Sequence, residues 1–342
     1  MTKKILVTGG TGYIGSHTLV DLIEKGFDVI SIDNHSRSYI ESLEGVEKIT
    51  GRKVKNYSID LCDMLAVRDV FKAHPDFDGI IHFAAYKSVP ESIEKPLLYF
   101  KNNNESLVNL LELVAEYNTP YFVFSSSCSV YGEPKSLPVT EDTELEEAQC
   151  AYARTKQMGE QILNDVSKAS TTKFVALRYF NPVGAHESGE IGERSIDPPN
   201  NLVPIITETA AGIRATMTVF GSDWDSRDGS CIRDYIHVAD IADAHTKALQ
   251  YLMNNADLPN FEIVNLGTGN GVSVLEAINA FEEVSNEKLN YNIGPKRGGD
   301  VGVIYSDCSK AERLFGWVAQ RDIKDMMRTA WAWQKNLKNH PR

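Results

Sequence analysis

The 342-residue sequence has few cysteines and no cysteine pair of the kind that binds metal. Its five cysteines, an odd number, are scattered along the chain without a C-x-x-C spacing: Cys62, Cys128, Cys150, Cys231 and Cys308. This pattern disfavours both a disulfide framework and a zinc cluster. The histidines show no H-E-x-x-H or comparable spacing, so we expect no metal site.

Long apolar runs and an excess of positive charge are also missing. No stretch approaches the ~20 apolar residues that a membrane-spanning helix needs. The chain passes from Met1 through Lys3 and Lys4 into ILVTGGTGYIG without the apolar region of a signal peptide. Acidic residues outnumber basic ones by 47 to 35, and the net charge of −12 repels polyanions. We therefore expect a cytoplasmic protein that binds neither membrane nor nucleic acid, although local basic residues could still bind a small anion.

Short apolar runs alternate with amphipathic segments over the first half of the chain. KKILVT, DVISID, VKNYSID, GIIHFAA and YFVFSSS are strand candidates, and helical patterns separate them. This alternation predicts an α/β fold with a doubly wound parallel sheet in residues 1–180. Glycine and proline crowd the chain after Asn181, which predicts a second, smaller α/β lobe over 181–342. Residues 233–265 again have a strand and helix pattern, and we predict that they return to the first lobe.

The glycines of TGGTGYIGS lie between a predicted strand and a predicted helix. Gly9, Gly12 and Gly15 satisfy G-x-x-G-x-x-G, and Gly10 with Gly12 and Gly15 satisfies G-x-G-x-x-G. Glycines there permit a tight turn and a close approach of the backbone to a pyrophosphate, while the helix N-terminus attracts the anion. The pattern predicts a Rossmann-type dinucleotide site, and a plain glycine turn is the alternative.

Asp33 ends the second predicted strand, near the ~20-residue offset at which an acidic residue binds the ribose hydroxyls of NAD. A carboxylate at this point repels the additional phosphate of NADP, so the sequence favours NAD. The alternative is that Asp33 and Asn34 only form a turn.

Tyr152 and Lys156 are four residues apart in AYARTKQMGEQIL and would share a helix face. A nearby ammonium and the positive nicotinamide ring both favour the phenolate, which makes Tyr152 a candidate proton acceptor. Ser127 lies at the end of the strand in FSSSCSVYG, where its hydroxyl could bridge substrate and tyrosine. By themselves, the pair could be a chance spacing on a solvated helix, and Ser127 one member of a serine-rich loop.

Several segments together resemble a known family. TGGTGYIGSH, KSVPESIEKPLLYFKNN, FSSSCSVYG, YARTK, LRYFNPVGAH, PPNNLVP, RDYIHVAD and NLGTG are similar, in this order, to UDP-glucose 4-epimerases of the extended short-chain dehydrogenase/reductase family. The similarity runs from about residue 4 to AWAWQ near the C-terminus, which is more specific than any single motif.

The resemblance implies a redox-neutral inversion at C4 of a UDP-hexose, interconverting UDP-galactose and UDP-glucose. In this family NAD stays bound, the tyrosine takes a proton from the 4'-hydroxyl while C4' gives a hydride to NAD, and the transient 4-keto sugar takes the hydride back on its other face. Tyr152 would be the base, Lys156 would bind the nicotinamide ribose and lower the tyrosine pKa, and Ser127 would bind the 4'-oxygen. The family also implies a homodimer, built from the helix around Leu107 and the helix of Tyr152.

Binding residues follow from the resemblance position by position. Those implied for NAD are Tyr13, Ile14, Asp33, Asn34, Asp60, Leu61, Phe83, Ala84, Lys87, Asn102 and Tyr179. Those implied for the UDP-sugar are Asn181, Asn201, Leu202, Phe220, Arg233, Arg297, Asp300 and Ile304. Arginine suits a diphosphate because its guanidinium is a planar, charged fork. Without the resemblance, Arg233 and Arg297 could equally be ion-pair partners of Asp234 and Asp300.

The chain departs from the family pattern around the catalytic residues. Cys150 and Ala151 precede Tyr152 where relatives often have Ser-Pro, and Cys128 follows Ser127 where many have Ala. These thiols could be sensitive to oxidation or could be inert packing. Ile304 falls where residue size limits an N-acetyl group at C2, so a UDP-N-acetylglucosamine 4-epimerase remains an alternative.

Other enzymes and binding proteins of this fold are further alternatives. A 4,6-dehydratase is disfavoured, because relatives with that activity carry Asp-Glu where this chain has Cys128 and Ser129. A non-catalytic NAD-binding sensor could lack the Tyr/Lys pair that is present here. A plain NAD-dependent dehydrogenase would accumulate NADH with its product.

Overall fold

Strands and helices alternate along the protein, which a computed structural model describes over residues 2–255, 257–297 and 301–337. The strands are β1 (Lys4–Thr8), β2 (Asp28–Ile32), β3 (Lys55–Tyr57), β4 (Gly79–His82), β5 (Tyr121–Ser125), β6 (Lys173–Tyr179), β7 (Asn181–Val183), β8 (Met217–Phe220), β9 (Ile232–His237), β10 (Phe261–Leu266), β11 (Gly271–Ser273), β12 (Tyr291–Gly294) and β13 (Val303–Ile304). The helices are α1 (Tyr13–Glu24), α2 (Ser42–Thr50), α3 (Met64–Ala73), α4 (Val89–Glu94), α5 (Pro96–Glu116), α6 (Ala151–Lys168), α7 (Leu202–Ala210), α8 (Val238–Asn254), α9 (Val274–Ser285), α10 (Ser309–Phe315) and α11 (Ile323–Leu337).

Seven parallel strands form the central sheet in the order β10-β6-β5-β4-β1-β2-β3. Successive side chains of a strand point to opposite faces, and a parallel sheet needs both faces covered. Accordingly, Ile5 and Val7 pack in a core cluster with α1 and α8, whereas Leu6 packs in another with α5 and α6. The predicted Rossmann-type doubly wound parallel sheet is confirmed.

The strand order reverses at β1, which positions the site. From β1 the chain adds β2 and β3 on one side, and it then returns to pair β4 with the other side of β1. The loops that follow β1 and β4 therefore diverge and leave a crevice at the carboxyl ends of the strands, where nucleotides bind in this class of fold.

A second group of elements surrounds a four-stranded sheet, in which β9 pairs with β7, β11 and β13. Strands β8 and β12 form a separate parallel pair, and α7, α9 and α11 share a core cluster of their own. Segment 233–265 divides between the two groups: β9 lies in the smaller sheet, but α8 packs beside α1 and β10 pairs with β6. The division into lobes at residue 180 stays a prediction.

No helix within the described ranges is long and apolar enough to cross a membrane.

Candidate active site

A cavity of about 770 Å³ lies at the carboxyl ends of the central strands. Residues predicted for the site line much of it: Gly9, Gly12, Tyr13, Ile14, Gly15, Asp33, Asn34, Asp60, Leu61, Phe83, Ala84, Lys87, Asn102, Tyr152, Lys156, Tyr179, Asn181, Asn201, Arg233, Arg297 and Ile304. These residues are far apart in sequence, from the first strand to β13. The fold therefore brings residues predicted to bind NAD and residues predicted to bind the UDP-sugar to one cavity.

Three of the predicted site residues within the described ranges are not part of this lining. Ser127 lies immediately before the lining residue Cys128, and its hydroxyl shares a hydrogen bond with the Tyr152 phenol. Leu202 begins α7 and packs against the core cluster of the smaller sheet. The ring centroid of Phe220 lies 5.3 Å from the Arg297 guanidinium, and Arg297 does line the cavity. Asp300 lies outside the described residues.

The glycine turn at the start of α1 is too tight for side chains. Gly9 has φ of 73°, and a Cβ there would lie 2.9 Å from the backbone nitrogen of Ala84. A Cβ on Gly15 would lie 2.0 Å from the carbonyl oxygen of Gly9. Gly12 precedes α1 without a side-chain cap, so the first N–H groups of the helix remain available for an anion. This cradle fits a dinucleotide pyrophosphate.

Asp33 lies at the edge of the cavity and organises the loop around it. Its carboxylate accepts hydrogen bonds from the Thr11 and His35 backbone nitrogens, at 3.2 and 2.9 Å, and from the Ser38 hydroxyl at 2.8 Å. The side chain of Asn34 similarly accepts from the Ser36 nitrogen at 3.0 Å. Asp33 and Asn34 therefore do form a turn. The contacts of this turn hold the Asp33 carboxylate beside the glycine turn, where a ribose would lie.

Helix α6 brings Tyr152 and Lys156 to the end of β5. Both side chains are buried, and the Lys156 ammonium donates to the carbonyl oxygen of Ser125 at 2.6 Å. Gly159 permits this approach, because a Cβ on it would lie 2.7 Å from the Phe124 ring. The Ser125 hydroxyl in turn donates to the Tyr179 phenol at 3.0 Å. The three predicted catalytic side chains thus meet at one strand end.

The pKa values of Tyr152 and Lys156 are set mainly by burial. They differ from the expectation that Lys156 lowers the pKa of the tyrosine. Burial raises the pKa of Tyr152 well above its ordinary value, and only the hydrogen bond from Ser127 opposes it appreciably. Burial also lowers the pKa of Lys156 to about 7. The protein alone therefore keeps the phenol protonated, and the phenolate needs an additional positive charge beside it.

Two residues that line the cavity have buried polar atoms without a hydrogen-bond partner in the described part of the chain. The buried Oδ1 of Asn181 and Oγ of Ser129 have no hydrogen-bond partner within the described residues. Arg233 donates to the carbonyl oxygen of Ile232 at 2.9 Å, whereas Asp234 is buried and accepts from the Thr268 and Ser306 hydroxyls. Asp234 thus has a structural role, and the site offers unused polar atoms to a ligand.

Ile304 closes one wall of the cavity from strand β13. It is 6% exposed and packs in a small apolar cluster with Val130, Tyr131 and Phe180. Its predicted role in limiting substituents at C2 of a sugar requires this position on the lining, and the structure places it there.

The two cysteines near the site have different surroundings. Cys128 lines the cavity, and burial raises its pKa to about 12, which favours the unreactive thiol. Cys150 is the N-cap of α6, and its sulfur accepts from the Ala153 nitrogen at 3.5 Å. The structure therefore favours the packing and capping roles over redox sensitivity.

Residues 193–197, which no sequence motif assigned to the site, also line the cavity. Glu193 accepts from the Lys87 ammonium at 3.2 Å and from the Asn201 amide at 2.9 Å, so it joins a predicted cofactor residue to a predicted substrate residue. Arg37 forms ion pairs with Asp197 at 3.0 Å and with Glu91 at 2.8 Å across the cavity. Only the high glycine and proline content marked this segment in the sequence, and such content predicts no contact.

In 2–255, 257–297 and 301–337 no cluster of histidine, cysteine, aspartate or glutamate is arranged to hold a metal ion.

Known proteins with the same sequence pattern identify the family. A family model described as GDP-mannose 4,6 dehydratase matches residues 6–330. The UDP-glucose 4-epimerase of Haemophilus influenzae is 47% identical over 333 residues, which cover 97% of this chain and 97% of that protein. The chain belongs to the family that this model describes and, within it, to the UDP-glucose 4-epimerases.

Solved structures of UDP-glucose 4-epimerases have the same fold. The enzyme from Bifidobacterium longum, in complex with NAD⁺ and UDP, is 43% identical with a TM-score of 0.93, and the match covers 98% of this chain and 99% of that one. The enzyme from Stenotrophomonas maltophila, with bound NAD and formylated UDP-arabinopyranose, is 40% identical with a TM-score of 0.95, over 99% and 100% of the two chains. Although the family description names a dehydratase, Cys128 and Ser129 here occupy the places expected of the Asp-Glu pair for that reaction.

Proposed function

We propose that this protein is an NAD-dependent UDP-glucose 4-epimerase, an isomerase that interconverts UDP-galactose and UDP-glucose. The observation that carries the proposal is the single cavity in which the glycine turn, the Tyr152 group and Arg233 meet. Membership among the UDP-glucose 4-epimerases supports the same activity.

The residues around the glycine turn fit NAD. The N-terminus of α1 would bind the pyrophosphate, Asp33 the adenosine ribose, and Lys156 with Tyr179 the nicotinamide end. Bound NAD would supply a positive ring and a reversible hydride acceptor, and because the same sugar would take the hydride back, the overall reaction is redox-neutral. That charge matters here, because burial alone holds the pKa of Tyr152 high.

The residues of the chain supply the proton transfer and the binding. Tyr152 would accept the proton of the sugar 4'-hydroxyl and later return it, while the Ser127 hydroxyl holds the same oxygen within hydrogen-bond reach. Arg233 and Arg297 would bind the diphosphate, since guanidinium groups match phosphate oxygens in pairs. Asn181, whose Oδ1 has no partner in the described part of the chain, would bind another polar group of the substrate.

Incubation of the purified protein with UDP-galactose and no added cofactor tests this activity. Proton NMR of the anomeric signals should show UDP-glucose accumulating to equilibrium without net NADH absorbance at 340 nm. Stoichiometric NADH would indicate a dehydrogenase instead, and no conversion would leave the family membership without this activity.

A homodimer is a further part of the proposal. Helices α5 and α6 pack together, and they expose apolar side chains at Leu97, Val108 and Met158. The buried Oδ1 of Asn104 on α5 also has no partner in the described part of the chain. Val108→Asp should give a monomer in light scattering, whereas Ile213→Asp, on an exposed apolar residue beyond α7, should not change the mass. A dimer that persists in Val108→Asp would count against this surface.

The predicted cytoplasmic location belongs to the proposal as well. It is supported by the free thiols of Cys62, Cys128, Cys150 and Cys308, which suit a reducing compartment.

A further inference from the structure

A buried ion pair lies directly behind the catalytic group. Glu160 follows Lys156 by one turn of α6, and its carboxylate accepts from Nε and Nη2 of Arg178, at 2.9 and 2.7 Å. The two side chains are only 6% and 3% exposed. Arg178 lies on β6, next to Tyr179, so the pair joins the catalytic helix to the central sheet.

Stability alone does not explain a pair in this position. Removing two charges from water costs several kcal/mol per ion, and apolar residues of similar volume often serve stability equally well. A buried ion pair does fix the relative position of the elements it joins, because breaking it leaves an unpaired charge. The pair between Glu160 and Arg178 therefore fixes the position of helix α6 relative to strand β6.

Three consecutive serines at the end of β5 connect Glu160 to the partners of Lys156 and Tyr152. The Ser126 hydroxyl donates to Glu160 at 2.6 Å. The carbonyl oxygen of its neighbour Ser125 accepts a hydrogen bond from the Lys156 ammonium, and its other neighbour Ser127 contacts the Tyr152 phenol. A displacement of Ser126 would therefore move the partners of both catalytic side chains.

We propose that Glu160 is a positioning residue of this active site, which holds Ser127 and Lys156 in place through Ser126 and keeps Lys156 protonated by its charge. The inference rests on the epimerase function proposed above and concerns the same site. Glu160 itself does not line the cavity and acts through its neighbours.

The charge of Glu160 is the main one acting on Lys156. Around Lys156 and Tyr152, burial lowers the pKa of His82 on β4 to about 3 and raises those of Cys128 and Tyr179 to about 12, so all three are neutral near pH 7. Burial lowers the pKa of Lys156 to about 7, and the Glu160 carboxylate opposes this shift. Without Glu160, the remaining Arg178 cation would disfavour the ammonium further.

The test uses Glu160→Gln as purified protein with its bound NAD, assayed with UDP-galactose across pH. Loss of the carboxylate should lower kcat about tenfold or more with KM changed less than about threefold, and should move the alkaline limb of kcat about one unit to lower pH. Ser126→Ala retains the charge, so kcat should fall while the alkaline limb stays in place. Glu283→Gln, which removes an exposed ion pair with Lys324 on the smaller lobe, should match the wild type.

A double variant separates position from stability. Glu160→Gln with Arg178→Met removes the unpaired cation, so its melting temperature should recover relative to Glu160→Gln while kcat stays low. Recovery of kcat together with the melting temperature would overturn the proposal, because the pair would then be merely structural. An unshifted alkaline limb in Glu160→Gln, or a fully active Ser126→Ala, would overturn it too. An inactive wild type would instead refute the proposed function.

Discussion

The ammonium nitrogen of Lys156 lies 2.6 Å from the carbonyl oxygen of Ser125, the last residue of strand β5. This bond joins helix α6 to the strand end whose next residues are Ser126 and Ser127. Because it is buried, it is also the principal direct hydrogen bond that holds the cation in a place that disfavours charge. The pH dependence expected for the stability of the NAD-free protein depends on how far burial opposes the charge of Lys156.

Replacement of Tyr152 by Phe should remove the proton acceptor and preserve the ring that fills the site. We expect kcat to fall by about a hundredfold to ten-thousandfold, the range typical of general acid–base groups. NAD released on denaturation should equal that of the wild type, since the glycine turn is unchanged. Wild-type turnover in this variant, measured with UDP-galactose, would contradict the proposed mechanism.

Lys156 should make stability depend on pH in the NAD-free protein. Its pKa is about 7 when folded, against 10.5 for the ordinary value, so the unfolded chain binds more protons between these limits. The cost of burying the cation is therefore present in full below pH 7 and fades as pH rises toward 10.5. Each pKa unit corresponds to about 1.4 kcal/mol.

Lys156→Met should accordingly melt at a higher temperature than the wild type at pH 6.5, by calorimetry of NAD-free protein, and this gain should shrink toward pH 10. The exposed Lys53→Met is the control and should show no such trend. A gain that is the same at every pH would mean that burial does not lower the pKa of Lys156.

Gly9 and Gly51 provide a matched pair for the glycine turn. Both have positive φ, 73° and 68°, but a Cβ on Gly9 would strike the Ala84 backbone whereas nothing lies within 4 Å of one on Gly51. Both alanine variants should lose the ~1–2 kcal/mol that left-handed backbone costs a residue with a side chain. Only Gly9→Ala should also lose its NAD, measured after gel filtration and denaturation. Equal NAD retention in both variants would contradict a role of the glycine turn in binding NAD.

Ile304 should limit the size of the group at C2 of the sugar. Ile304→Ala opens the cavity wall, and we expect the ratio of kcat/KM for UDP-N-acetylgalactosamine over UDP-galactose to rise about tenfold. The variant should also lose about 2–4 kcal/mol of stability, since Ile304 is buried in a small apolar cluster. Ile304→Leu conserves volume and should keep the wild-type ratio. An unchanged ratio in the alanine variant would place the C2 substituent elsewhere.

The fold and much of the cavity were predictable from local patterns. The alternation of apolar runs with amphipathic segments predicted the parallel sheet, and Gly9, Gly12 and Gly15 predicted the turn before α1. Leu202 and Phe220 were less predictable, because a position in a motif does not determine which way a side chain faces. In the structure Leu202 packs against the core cluster of the smaller sheet, and the ring of Phe220 contacts Arg297, which lines the cavity.

By itself, the sequence determined where the chain forms strands, helices and tight turns, and which residue types accompany them, because these depend on contacts within a few residues. Tertiary structure alone decided that Glu160 meets Arg178 and that Glu193 joins Lys87 to Asn201. It also decided that burial raises the pKa of Tyr152 and lowers that of Lys156. Such pairings and desolvation depend on segments distant in the chain, whose proximity arises only when the helices pack against the sheet.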